Sequence, residues 1–339
     1  MGLTGLLFSE TTAAAGDIVT EYHDTVVPSF SGGLFAVLGI CMALTVAAIV
    51  VGVIWVRKHA ENWAFGTLIG IIGFFLFSYL LMFLSQVIEP LKNFFYGDGT
   101  MNQLIRLGAA IILNTAGLIV GLVYLRSNAE RRSIPFNLGT ALAYGFGFGA
   151  AGLLMGSFIS QALTDFLSVI NTGVNINQNL SPLGFDGIVN LAVSQGLSEE
   201  ESVTETLALV DYINSLNSNA LAYLWTEFSN LFLAVILTAG AVFTYGAMSG
   251  KIGKAWYAVP FLALVVFCVP MALVIFMDFP GWLNMVIDAA AAALMVFLAV
   301  YLAKKYMSDD MDRLAEPKKP KNHMQEERPK MPKIVMPDD

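Results

Sequence analysis

Long apolar runs dominate the chain, and its polar residues gather in the short stretches between them. A helix needs about 20 apolar residues to cross a hydrocarbon core. Seven runs reach that length, at approximately 33–56, 64–88, 104–125, 137–160, 222–247, 256–277 and 283–303. The pattern predicts an all-α fold, a polytopic membrane helical bundle of about seven transmembrane helices.

One connection between runs, 171–221, is long enough to need structure or function of its own. Ser198 and Glu201 form a candidate capping box, and Val203, Leu207, Val210 and Ile213 then recur at helical steps along one face. An amphipathic helix over 198–216 with a strongly acidic polar face is expected. Phe185 to Val193 gives a shorter apolar piece before it, so the two form a helical pair on the mouth of the bundle. The pair reads either as a cap over helix ends or as a lid or docking surface.

Composition agrees with this picture. Of 339 residues, 56% are hydrophobic and only 13% charged, about half the charged share of an ordinary soluble protein, and the mean hydropathy is +0.68. A soluble globular protein is excluded. Thirty Gly, 24 Phe and 15 Met suit helices that approach closely and face lipid. A formal charge of −8 gives no basis for binding nucleic acid, whose phosphates need a basic surface. Cys41 and Cys268 stand alone in apolar runs, so neither a disulfide framework nor a zinc cluster is expected, and no cofactor is implied.

The placement of the positive charges orients the bundle, because cytoplasmic loops are rich in Lys and Arg. Arg57, Lys58, Arg126, Arg131, Arg132, Lys251, Lys254 and the nine Lys and Arg from Lys304 to Lys333 fall on one side, leaving only Lys92 and Arg106 for the other. The N-terminus is therefore expected outside and the C-terminus in the cytoplasm. Residues 1–32 lack a basic signal-peptide start and carry Glu10, Asp17, Glu21 and Asp24, so they read as a retained external segment. Residues 33–305 form the membrane domain. The Pro-rich tail 306–339 reads as disordered. Its Lys318, Lys319 and Lys321 offer a weak patch for anionic lipid or protein, opposed by Glu326, Glu327, Asp338 and Asp339.

Ionisable groups inside spans are costly and mark candidate sites. Asp165, Glu227 and Asp288 lie near the outer boundary, and Asn114, Gln161, Asn230 and Thr238 lie deeper, where helix-to-helix hydrogen bonds are the ordinary role. His23, His59 and His323 all fall outside the spans, so no metal site and no zinc-type hydrolysis is expected within the bilayer. Ser78 and Ser157 have no histidine or buried lysine to activate them. For an aspartyl mechanism Asp165 and Asp288 are the single conceivable pair. The fourth span, AYGFGFGAAGLLMG from Ala143 to Gly156, sets Gly145 with Gly149 and Gly152 with Gly156 for close helix packing. Pro260 and Pro270 predict a kinked sixth span.

The order of these features resembles the YhfC family of intramembrane proteases, over roughly residues 30–305. Ala116, Gly117 and Leu118 are similar to its first landmark, Tyr144 to Gly149 to its glycine-rich signature, and Ile170, Asn171 and Gly173 to its loop opening. The departures fall where the family's chemistry lies. Val120 and Gly121 stand for paired glutamates and Phe148 for a histidine; Asn230, Leu231 and Thr238 stand for the Glu-Arg and His positions, although a shifted register sets Glu227 at the glutamate. The resemblance thus implies the scaffold without the activity: a non-catalytic membrane scaffold, accessory subunit or chaperone in the plasma membrane of a prokaryotic cell. Its expected partners are another integral membrane protein or complex, and lipids. The contact surfaces would be the fourth span, the helix 198–216 and the tail. The alternatives are an active protease built on Asp165, Glu227 or Asp288, and a carrier of lipid or a small molecule.

Overall fold

The computed structural model describes residues 26–96, 99–132, 136–218, 220–277 and 280–315. They form an all-α protein with no strand among the described residues. In chain order the helices are α1 (Gly32–His59), α2 (Trp63–Phe74), α3 (Leu80–Val87), α4 (Glu89–Tyr96), α5 (Thr100–Arg131), α6 (Leu138–Gly152), α7 (Thr164–Asn175), α8 (Gly184–Ser194), α9 (Glu199–Ser218), α10 (Ala220–Met248), α11 (Ala258–Phe276), α12 (Gly281–Tyr306) and α13 (Ser308–Ala315). Among the described residues six helices are long and apolar enough to cross a membrane: Gly32–His59, Thr100–Arg131, Leu138–Gly156, Ala220–Met248, Lys254–Phe276 and Gly281–Tyr306. The predicted run 64–88 is divided. Its apolar part, Trp63–Tyr79, is shorter, and a π-helical stretch at Phe75–Tyr79 joins α2 to α3.

Local chemistry sets several of these boundaries. Ser31 caps α1, its Oγ accepting from the Leu34 N–H at 3.1 Å, and Asn137 caps α6 by accepting from the Thr140 N–H at 3.0 Å. Arg57, Lys58 and His59 crowd the last turn of α1, where the helix dipole favours positive charge. Large apolar side chains such as Val51, Ile54, Leu76, Val123, Phe276 and Phe297 remain exposed around the bundle, an inversion of a water-facing surface.

Glycine brings the central helices together. On α2, a Cβ at Gly70 would stand 2.2 Å from the Tyr144 carbonyl, and on α6 a Cβ at Gly147 would stand 2.2 Å from the Thr67 carbonyl. Backbones therefore touch across α2 and α6 as small-residue packing allows. Gly145 and Gly149 seat α6 on Thr238 and Ala234 of α10, and Gly152 faces the Phe74 ring of α2. Gly156 departs from the expected packing role: it is exposed, and a Cβ there would meet nothing within 4 Å. After Gly152 the chain winds as a π-helix from Leu153 to Leu163, and the wider turn carries the fourth residue off the packed face. Asn114 and Ser78 fulfil the helix-to-helix expectation, with Ser78 Oγ donating to Asn114 Oδ1 at 2.8 Å from within the first π stretch.

At one end of the bundle α8 and α9 form the anticipated pair. Ser198 and Glu201 build the capping box: the Ser198 N–H donates to Glu201 Oε2 at 3.0 Å and the Glu201 N–H to Ser198 Oγ at 3.3 Å. Val203 and Val210 pack on Phe185, Ile188 and Val189, while Ile213 joins Phe30, Leu34 and Leu38 at the head of α1. Two asparagines clasp the chain entering α1. Asn177 Oδ1 accepts from the Phe30 N–H at 2.9 Å, and Asn217 Oδ1 accepts from the Ser31 N–H at 2.9 Å while its Nδ2 donates to the Ser29 carbonyl at 2.9 Å.

The opposite end corrects part of the tail reading. Residues 308–315 are not disordered but form α13, because Met307, Met311 and Leu314 recur at helical spacing and pack against the core. Gly250, at φ 70°, ends α10 in the left-handed conformation and lets the Lys251 N–H return to the Gly246 carbonyl at 3.0 Å. Lys251 is thereby aimed at α13: its Nζ lies 2.6 Å from Asp310 Oδ2, to which Tyr245 also donates at 2.7 Å. Tail residues 316–339, with Lys318, Lys319, Lys321 and His323, lie outside the described residues, as do residues 1–25 with His23.

Candidate functional site

Two buried carboxylates stand near the starts of two neighbouring helices. Glu227 stands seven residues into α10 and Asp288 seven residues into α12, each 2% exposed. At 1.5 Å per residue each lies about 10 Å from the first residue of its helix. Trp225 on α10 packs against Gly281 at the start of α12.

Their surroundings differ. Thr45 Oγ1 on α1 donates to Glu227 Oε1, and Cys41, one turn earlier on α1, interacts electrostatically with the same carboxylate. Ser229 lies two residues beyond Glu227, hence on the opposite side of α10, and its hydroxyl bonds the Asp288 carboxylate. Asp288 Oδ1 and, one turn earlier on α12, Asn284 Oδ1 are buried oxygens without a hydrogen-bond partner. Cys268 on α11 is within electrostatic reach of Asp288. Three helices thus converge on Asp288, whereas Glu227 belongs to the α1–α10 contact. Thr45 is a partner absent from the sequence expectations, although it is marked there as the sole hydroxyl residue of α1.

The aspartyl pair rests on Asp165, whose side chain lies outside the described ones along with those of Ser157 and Gln161. His59 sits at the last turn of α1, its Nδ1 2.8 Å from the Trp55 carbonyl and its ring 5.0 Å from the Trp55 ring, remote from the two carboxylates. No group of three or more His, Cys, Asp or Glu that would hold a metal ion occurs among the described residues.

The positions that the resemblance singled out differ in their surroundings. Val120 is 48% exposed on the outside of α5, whereas Gly121 packs on the Tyr144 hydroxyl. Phe148 is fully buried, edge to face with Phe74 at 5.7 Å and pressed on Gly117. Asn230 is half-buried, and Thr238 bonds back to the Ala234 carbonyl of its own helix at 2.8 Å.

Thr238 instead faces a lateral groove of about 760 Å³. Ala48 and Gly52 of α1, Phe146 of α6, Val235 of α10, Val300 of α12 and Leu314 of α13 give it a nearly unbroken apolar wall. Gly52 is needed there because the Phe146 ring passes where a Cβ would stand, 2.1 Å from the nearest ring carbon. Such a wall binds by shape and dispersion; its one imidazole, His59 at the end of α1, is held by the Trp55 carbonyl of its own helix. No family model, curated protein or solved structure matches the chain.

Proposed function

We propose that this chain is a non-catalytic, multi-pass membrane scaffold or accessory subunit, YhfC-like in plan, that receives an apolar segment of another integral membrane protein in its lateral groove. In this reading the divided helix α2–α3 completes seven spans, the N-terminus faces outward and the C-terminus the cytoplasm of a prokaryotic cell, with the plasma membrane as its site. The observation that carries it is the groove itself. Its walls are apolar except for Thr238 and His59, each bonded within its own helix, and its volume matches the cavities that hold ligands of substantial size. The side chains at Val120 and Phe148 support the non-catalytic part, since acyl-transfer or hydrolytic chemistry needs a nucleophile, acid or base at the reacting atom and neither residue supplies one.

The test is native purification in mild detergent, followed by mass measurement of the intact assembly. A stoichiometric membrane partner is expected, and Val235→Trp, which fills the groove, should release it while leaving helix content unchanged. A chain that travels alone at monomer mass overturns the reading. Bound lipid in place of protein establishes the carrier alternative.

A further inference from the structure

The Asp288 layer contains an imbalance that the scaffold reading does not use. Asp288 Oδ1 and Asn284 Oδ1 are hydrogen-bond acceptors, both buried, both without a donor, and one turn apart on the same side of α12. A buried acceptor without a partner costs about 1–3 kcal/mol, and an uncompensated buried carboxylate costs more. Two such oxygens on adjacent turns therefore call for a shared electrophile. Across from them stands Ser229, itself buried, whose hydroxyl proton goes to the carboxylate and leaves its oxygen lone pairs available.

The charge balance narrows the electrophile. From α10 the titratable groups are Glu227, committed to Thr45 on the far side of that helix, and Tyr223 and Tyr245 towards its two ends; from α11 there is Cys268 alone; from α13 there are Asp309, Asp310, Asp312 and Arg313, at the opposite end of α12. One carboxylate thus meets no basic side chain from the elements packed around it. On the Asp288 side of α10, with Glu227 turned to Thr45 on the other, a single negative charge is neutralised by one positive charge; a divalent ion there would leave a net charge buried at a cost of several kcal/mol. The oxygens of Asp288, Asn284 and Ser229 favour a hard cation.

We propose that Asp288, Asn284 and Ser229 form a binding site for a sodium ion within the bundle, with a proton on Asp288 as its competitor. The ion ties α10 to α12 through oxygens of both helices. Its occupancy neutralises Asp288 and supplies the electrophile that its orphaned oxygen and that of Asn284 lack.

The full-length protein, purified in detergent, tests this with NaCl against choline chloride at equal ionic strength. Sodium is expected to raise the melting temperature of the wild type and of Glu227→Gln, and to leave that of Asp288→Asn unmoved. A hydrophobic carbodiimide, which labels buried protonated carboxyls, supplies a second readout by peptide mass. Its labelling of Asp288 should fall about tenfold at a sodium concentration about ten times the dissociation constant, as mass action requires. Protection should strengthen as pH rises and the competing proton leaves. Equal labelling in sodium and choline overturns the proposal, and so does a sodium-dependent melting temperature that survives Asp288→Asn. An Asp288 that resists the reagent, in a protein whose melting ignores sodium, overturns it as well.

Discussion

The Tyr144 hydroxyl donates a 2.6 Å hydrogen bond to the carbonyl of Gly117 across the α5–α6 contact. The acceptor already lies within a helix, so the tyrosine adds a second bond to one backbone oxygen and fixes the rotation of α5 against α6. The slot it enters is made by glycines. A Cβ on Gly121 would stand 2.0 Å from that hydroxyl and one on Gly73 2.7 Å from it.

Gly121→Ala should therefore cost about 1–3 kcal/mol by overpacking, read as a lowered melting temperature in detergent. Gly108→Ala, on the same helix with nothing within 4 Å of the added carbon, should be neutral or stabilising by up to about 1 kcal/mol through helix propensity. Equal losses from both would show that the slot does not govern the contact.

Thr45→Val keeps the shape of the α1–α10 contact and removes the hydroxyl that donates to the buried Glu227. A loss of about 1–3 kcal/mol is expected from denaturant titration in mixed micelles. Thr238→Val removes only a bond within its own helix and should change stability by less than half as much.

Asp310 is 6% exposed and serves two donors, Lys251 and Tyr245. Asp310→Leu should release α13 from the end of α10, and trypsin should then cut after Arg313 several times faster than in the wild type. Gly250→Ala should produce a smaller effect in the same assay, since the left-handed turn that aims Lys251 becomes strained by about 1 kcal/mol.

Hydrogen bonds from Ser198 to the Glu201 carboxylate hold its pKa below the usual Glu value. A group lowered in the folded state stabilises above its unfolded pKa of about 4.3 and loses that contribution as pH falls through the lowered value. Hydrogen exchange at the first turn of α9 should accordingly stay slow at neutral pH and quicken on acidification, with a midpoint below that of an ordinary glutamate. In Ser198→Ala the Glu201 titration should move up toward the ordinary range.

Features set by short spacing were legible in the sequence. The capping box Ser198–Glu201 and the stripe Val203, Val210 and Ile213 lie within a few helical turns, and the folded chain uses them as spaced. Asn114 was legible as a helix-to-helix donor and acceptor, but its partner Ser78 required knowing how α2 turns through its π stretch. The pair Gly66 and Gly70 was as readable as Gly145 and Gly149, yet the richer glycine run of α6 drew the reading away from it. Composition misled at α13, where proline and charge further along the tail masked Met307, Met311 and Leu314. Asp288 was marked by its cost in a span, but the orphaned oxygens depend on the rotations of α10, α11 and α12 together, which no local pattern encodes.

The clasp at Ser29–Ser31 sets an order on biogenesis. Asn217 reaches the Ser31 N–H across 186 residues of chain, and a contact of that separation closes only after the intervening helices exist. The head of α1, the first helix to leave the ribosome among those described, therefore keeps its entering backbone unclasped until α9 has been synthesised. Maturation of the first helix is completed from a point nearly two-thirds of the way along the chain, so a truncation that stops before Asn217 should leave α1 inserted but unsealed at its head.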